Sequence, residues 1–505
     1  MSVGAPPGVI SDTDPLQTST VDVPSRAGWL LRMARLTAPG LTPTLQQLAV
    51  ALDTSAARLH RLETGKLRNG RLISSYEAAL GFPEGSLRAP IDVLCRTFPA
   101  RALPDQDPGP FVSTANAMSG LTSRVSVGAG SVAKGADWLG WARSISQPGA
   151  IGMPLDVARG LVGHLVDEMN RSVGSAYPTR YEALALIRTG PYGEVLVDVA
   201  RDKISDPHVQ VLFDLMSAVG EAVTPDATHW CLDLLADRRD RVLTAAVLAL
   251  ENMGTIGGTD DFWSDVASAV IPQLNASHEG GARATWLSHL ARLVPASVWA
   301  GVAVRPDRPL TPPADIPNWS RSRSNRHWLE CQAWSRQVTD AANLDEQPML
   351  TRLIFDIVVS PFESHAVTSY MLLGALPQLA SGVYTQLAAT AATHPDPVIR
   401  ARVGRRLVGM QHEGMPEVAA EWLESTDADL RDTALLIAGC SGTPVPDEIL
   451  EAALAGGVPS QRAALHVLGM SGHPLLCRLQ EHPDPAIAGG ARWWLRTGSR
   501  IVESP

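Results

Sequence analysis

One phrase recurs along this chain and limits its fold more than any other feature: an acidic turn, a β-branched residue or leucine soon after it, then a helix of small and apolar residues. It stands at SDPHVQVLFDLMSAVG (205–220), DRRDRVLTAAVLALENMG (237–254), HPDPVIRARVGRRLVGM (394–410), STDADLRDTALLIAGCSG (425–442) and HPDPAIAGGARWWLRTG (482–498). The steps from Asp206 to Asp240 and from Asp396 to Asp427 are 34 and 31 residues, which suits a helix pair. Such a pair cannot bury its apolar face alone, so the units must stack into a curved rod with one continuous core. Ala/Leu/Val-rich helix patterns fill the sequence between the copies, with Asp-Pro, Gly or Pro stops and little period-2 alternation. The body is therefore expected to be all-α.

The flanking sequence divides the chain further. Residues 1–23 are rich in Pro, Ser, Thr and Asp, which describes a solvated tail rather than a secretion signal. No apolar run reaches the roughly 18 residues of a membrane span, so a cytoplasmic protein with no membrane contact is expected. A head with several short helical patterns occupies 24–98. A linker with a connecting helix follows over 99–150 and is expected to tether the head flexibly. Repeat lobe 1 covers 151–300, a Pro-rich break 301–320 and repeat lobe 2 321–505. The body resembles HEAT repeats, best at Val398-Ile399-Arg400 and Leu430-Arg431, and the resemblance implies an α-solenoid of helix pairs.

Charge separates head from body. Between Pro24 and Phe98 there are ten Arg and Lys against five acids, whereas the whole chain carries a formal charge of −10. A basic head on an acidic body excludes a protein that coats nucleic acid along its length, and points to phosphate contact by the head alone. Cys95, Cys231, Cys331, Cys440 and Cys477 stand far apart, with no CxxC and no histidine at zinc spacing, so reduced thiols and no metal or cofactor are expected.

The segment TLQQLAVALDTSAARLHRLETGK carries the mechanism of the head. Two helices meet at a turn, Ala49 is small where they cross, and Leu59 and Leu62 face inward on the second. At 100° per residue this turns Ala56, Ala57, His60 and Arg61 outward together as a face that can read base edges in a major groove. Ser55 at the helix start, Arg58 beside the face, and Lys66, Arg68, Asn69 and Arg71 in the following loop are assigned to the DNA backbone. Glu63 is read as structural, paired with Arg32 or Arg35.

Residues 26–88 resemble the Xre/Cro type of helix-turn-helix through Leu48-Ala49, Ser55, Leu59, Leu62, Glu63 and Gly65, with Ala79-Leu80-Gly81 and Leu87 closing the segment. The resemblance implies a five-helix domain, double-stranded DNA as partner, and a homodimer on a symmetric site. Asp53 stands in the turn where Gly is common, a position Asp tolerates.

No P-loop, dinucleotide-binding, zincin or nucleophile-elbow pattern is present, so no enzyme is expected. The His-Pro-Asp-Pro phrases read as turns that cap the next helix rather than as metal sites. Trp286, Trp299, Trp319, Trp328 and Trp334 read as core, and RSRSNR (321–326) as a solvated helix start. The expected function is a DNA-binding transcriptional regulator of bacterial origin, its repeat body binding a partner, dimerising or sensing a small-molecule effector. The alternative is a protein-interaction scaffold whose head does not read DNA.

Overall fold

The computed structural model describes residues 21–503 except 39, 41, 110–113, 127–131, 148, 151, 304, 308–309, 311–320, 361 and 411. The sequence readings for residues 1–20, Trp319 and most of the Pro-rich break lie outside the described residues. Among those described, helices make up the regular structure, and the one extended pairing is a single parallel bridge between Ser172 and Ile501.

The head comprises α1 (Val23–Leu36), α2 (Leu45–Ala51), α3 (Ala56–Glu63), α4 (Gly70–Leu80) and α5 (Arg88–Thr97). Ala115–Val125 and Gly135–Ile145 follow. The first part of the array is Leu155–Met169, Ala176–Thr189, Gly193–Ser205, Phe213–Val219, Pro225–Leu234, Asp240–Gly257, Asp260–Ala276, Ala282–Leu293 and Ala296–Gly301. The second begins with Arg321–Ala341, Pro348–Val358, Glu363–Gly374, Pro377–Thr393 and Pro397–Gly409. It ends with Glu417–Glu421, Ala428–Ser441, Asp447–Leu454, Val458–Ser471, Leu475–Leu479 and Pro485–Thr497.

The recurring acidic turn has one chemistry. Asp206, Asp237, Asp396, Asp427 and Asp484 each accept the backbone N–H two residues on, at 2.8–2.9 Å. This Asx turn reverses the chain without using another backbone carbonyl. In three copies the residue two positions before the aspartate supplies a further acceptor to the aspartate N–H: His394 Nδ1, Ser425 Oγ and His482 Nδ1 at 3.0–3.1 Å. The His-Pro-Asp-Pro phrases are thus helix-starting turns. The equivalent residue in the second copy is Asp237, not Asp240, so the step from Asp206 is 31 residues, the same as from Asp396 to Asp427. Prolines cluster in first turns, at Pro225, Pro348, Pro377, Pro397 and Pro485, where the missing N–H has no helical partner to lose.

The array closes on itself. Val173 N donates to Ile501 O (3.0 Å), and Ile501 N donates to Arg171 O (2.7 Å). Glu503 takes the amide of Gly135 at 2.6 Å and pairs with buried Arg180 at 3.0 Å. Arg496 pairs with Asp206 at 3.0 Å. Gly489 and Gly490 let the last helix lie against His208 and Gln210, since a Cβ at Gly489 would stand 2.2 Å from the His208 ring. Inside the closure, Glu363 of the second part receives both guanidinium bonds of Arg406 and its backbone N–H donates to Glu251.

The head is built into this body, which corrects the expected flexible tether. Arg26 of α1 pairs with Asp356 at 2.7 Å, both side chains fully buried, and Arg352 meets the same carboxylate at 3.2 Å. Trp29 donates to Gln347 at 3.3 Å. Arg96 of α5 pairs with Glu182 (2.8 Å) and Glu221 (2.7 Å), and α5 packs on Ala176–Thr189, Asp240–Gly257 and Glu363–Gly374. The chain after the head folds back onto it. Arg71 N donates to Asp107 O, Gln106 N to Arg68 O, and Gly70 N to Asp105 Oδ1.

Removing one partner of a buried ion pair leaves an uncompensated charge. Asp356→Ala is therefore expected to cost about 3–5 kcal/mol in urea unfolding, and an unchanged midpoint would contradict the docking role of the pair. Ile501→Ala, at a buried position in the closing bridge, is expected to cost about 2–5 kcal/mol. Acid provides a third check. Burial would raise the Glu363 carboxyl, but Arg406 and the charges behind it hold it down at about 2. Its contribution is whole above the ordinary value of 4.5 and lost as the pH falls towards 2. A Glu363→Gln variant should accordingly flatten the acid limb of the stability curve in that window.

Candidate binding site

The α2–α3 unit has the geometry that its residues require. Thr44 and Gln47 form a reciprocal capping box at the start of α2. Asp53 closes the turn at φ 47°, in the left-handed region that Asp adopts at small cost. Ser55 caps α3, its hydroxyl accepting from Arg58 N at 3.2 Å. Ala49, Leu59 and Leu62 are buried against α1 and the rest of the head. Glu63 takes both guanidinium bonds of Arg35, at 2.7 and 2.8 Å, together with the Tyr76 hydroxyl at 2.7 Å. Gly65 (φ 67°) lies so close to α1 that a Cβ would stand 2.0 Å from Pro24 O. The glycine is thus needed for backbone crossing as well as for its conformation.

The outward face of α3 carries Ala57, Arg58, His60 and Arg61, all exposed, with Ala56 half-buried at its edge. Lys66 is exposed just beyond. Among the described residues the side chains of Arg58, His60, Arg61 and Lys66 have no hydrogen-bond or ion-pair partner. The other loop residues are committed elsewhere. Arg68 pairs with Asp92 (2.9 Å) and donates to Leu103 O (3.2 Å). Asn69 is buried and caps α4 through Leu72 N at 2.8 Å. Arg71 pairs with Asp107 at 3.0 Å. A backbone-gripping loop needs its cations free for phosphate. Here two of the three loop cations hold carboxylates of their own chain.

Sequence reasoning missed the residues that fix the head in place: Arg26, Trp29, Arg96 and Asp356. One signal was present. Arg26 lies four and seven residues before Leu30 and Met33, on the buried stripe of α1, so a buried guanidinium needing an acid was legible there. Elsewhere, Trp286 lines a central cavity, while Trp299, Trp328 and Trp334 are half-buried against the core. Four of the five free cysteines are buried, and Cys477 is exposed. Among the described residues no helix is long and apolar enough to cross a membrane, and no group of three or more His, Cys, Asp or Glu is placed to hold a metal ion.

No family model matches the chain, and no curated protein matches it in sequence. Solved structures do match. A mutant of Kap121p is 10% identical with a TM-score of 0.23, over 93% of this chain and 53% of that one. The karyopherin Kap121p bound to the SUMO protease Ulp1p is 9% identical with a TM-score of 0.24, over 95% and 53%. This chain spans about half the length of the Kap121p chains it matches. The bacterial Xre-type transcription regulator expected from the sequence is not what these comparisons return: no family model matches, and the solved structures found are those of a karyopherin.

Proposed function

We propose that this chain is a protein-interaction scaffold, in which the helical array and the head docked into it form one body that holds another protein. The observation that carries this reading is the fixation of the head. Its first helix is pinned by the fully buried Arg26–Asp356 pair, its last by Arg96 on Glu182 and Glu221, and its loop cations Arg68 and Arg71 by Asp92 and Asp107. A head so held presents α3 as part of a continuous surface. Arg58, Arg61 and Lys66, with His60 beside them, form a cationic ridge on a molecule that is otherwise acidic, so the partner suited to it is an acidic protein surface. No catalytic step belongs to this reading.

Two measurements on the full-length chain test it. Arg58→Glu/Arg61→Glu should weaken cross-linking to a partner protein by about tenfold or more without changing the unfolding midpoint, because neither side chain has a partner among the described residues. Selection on genomic DNA should return no sequence motif, and retention on duplex DNA should be the same for both proteins between about 50 and 200 mM salt. A DNA motif lost in the variant would overturn the scaffold reading.

A further inference from the structure

The closed array and the inner side of the head line a cavity of about 1200 Å³ that is partly open to solvent. This is at or above the roughly 300–1,000 Å³ of most small-molecule sites. Its wall is largely apolar, through Val211, Leu248, Ile256, Met371 and Met410 among others. Phe213 projects into it and keeps 46% of its surface exposed, although it sits inside the ring of helices. An interior phenylalanine left open to solvent is apolar area for a ligand to cover.

The charges in the wall are unevenly answered. Asp214 accepts from Tyr177 Oη at 2.8 Å, Glu221 takes Arg96 and Tyr181 Oη, and Glu363 is saturated by Arg406. Burial raises the Glu413 carboxyl above its ordinary range, with Arg500 opposing. Arg241 and Arg462, both in the wall, have no ion pair among the described residues. Arg241, in the first turn of Asp240–Gly257, donates to the neutral carbonyls of Pro207 and Val209. Arg462, near the start of Val458–Ser471, has no hydrogen bond or ion pair among the described residues. Burial first, then the charges of Arg462 and Arg239, push Arg241 down to about 10. Asp206 is the acid that opposes this, and Arg496 already occupies it at 3.0 Å. Asp240, next to Arg241 in sequence, and Arg405 also line the cavity, both exposed. Arg241 and Arg462 thus stand on the wall of one cavity, close enough for each charge to act on the other, and neither has an ion pair among the described residues.

We propose that this cavity binds a small molecule with an apolar body ending in a single anionic group, a carboxylate, sulfonate or phosphate, seated between Arg241 and Arg462. The volume of about 1200 Å³ suits a small molecule, and the tail and the head wall the cavity on two sides. Residues 499–503 bond to Arg171, Val173, Ser175 and Gly135, and the head covers another side of the chamber.

Anilinonaphthalene sulfonate is an apolar body with one anion, and phenylnaphthylamine is its uncharged relative. With the full-length protein, the sulfonate should bind saturably at one site per chain and raise the melting temperature. Arg462→Glu places a carboxylate beside Arg241. It should weaken the sulfonate by about tenfold or more and leave the uncharged dye unchanged. Gly374→Leu adds a side chain to the wall at a position where a Cβ meets nothing within 4 Å, and should weaken both dyes. Displacement by decanoate or by decyl phosphate then separates carboxylate from phosphate as the preferred anion. Unsaturable binding, a sulfonate affinity indifferent to Arg462→Glu, or binding of both dyes to Gly374→Leu with unchanged affinity would each overturn the proposal. Arg462 is exposed and has no partner among the described residues, so its variant folds and the result stays interpretable.

Discussion

A guanidinium and a carboxylate, both fully withdrawn from water, join the first helix of this protein to the middle of its array, 330 residues away in sequence. Burial alone would raise the Asp356 carboxyl, but Arg352, Arg26 and His365 together hold it far below the usual carboxylate range. Two buried charges of this kind are stable only with close geometry and further hydrogen bonds, and the loss of either is costly. The pair gives the head one place to sit. Everything the head can do, including what α3 can present, follows from that placement.

The second constraint is closure. A solenoid normally leaves two apolar ends that need caps. Here the final residues bridge back to Arg171 and Val173 while α5 fills the interior between three helices of the array, so the ends cover each other. Closure also creates the central chamber, whose wall is drawn from the head, both parts of the array and the tail. A rod would expose the same residues on an open concave face.

Local chemistry was legible in the sequence, and long-range docking was not. The Asx turns at Asp396, Asp427 and Asp484 announce themselves because acceptor and amide are two residues apart, and the same proximity makes α2, its Asp53 turn and α3 readable. In the second repeat copy two aspartates compete in DRRD, and only the bond from Arg239 N selects Asp237 over Asp240. Arg68 and Arg71 read as phosphate ligands because an exposed cation and a paired one look alike in sequence. Their partners, Asp92 and Asp107, lie within the head and in the stretch expected to be a flexible linker. Arg241 and Arg462 come together only when the ring closes, which no local pattern records.

The account depends on the head and body forming one cooperative unit, and native-state hydrogen exchange tests that most directly. Amides of α1 and α5 should exchange as slowly as those of Pro348–Val358, with the same dependence on urea, since all three are joined through Asp356, Gln347 and the α5 interface. Exchange of α1–α5 as a separate, less stable unit, with the array still protected, would show an independent head and contradict the account.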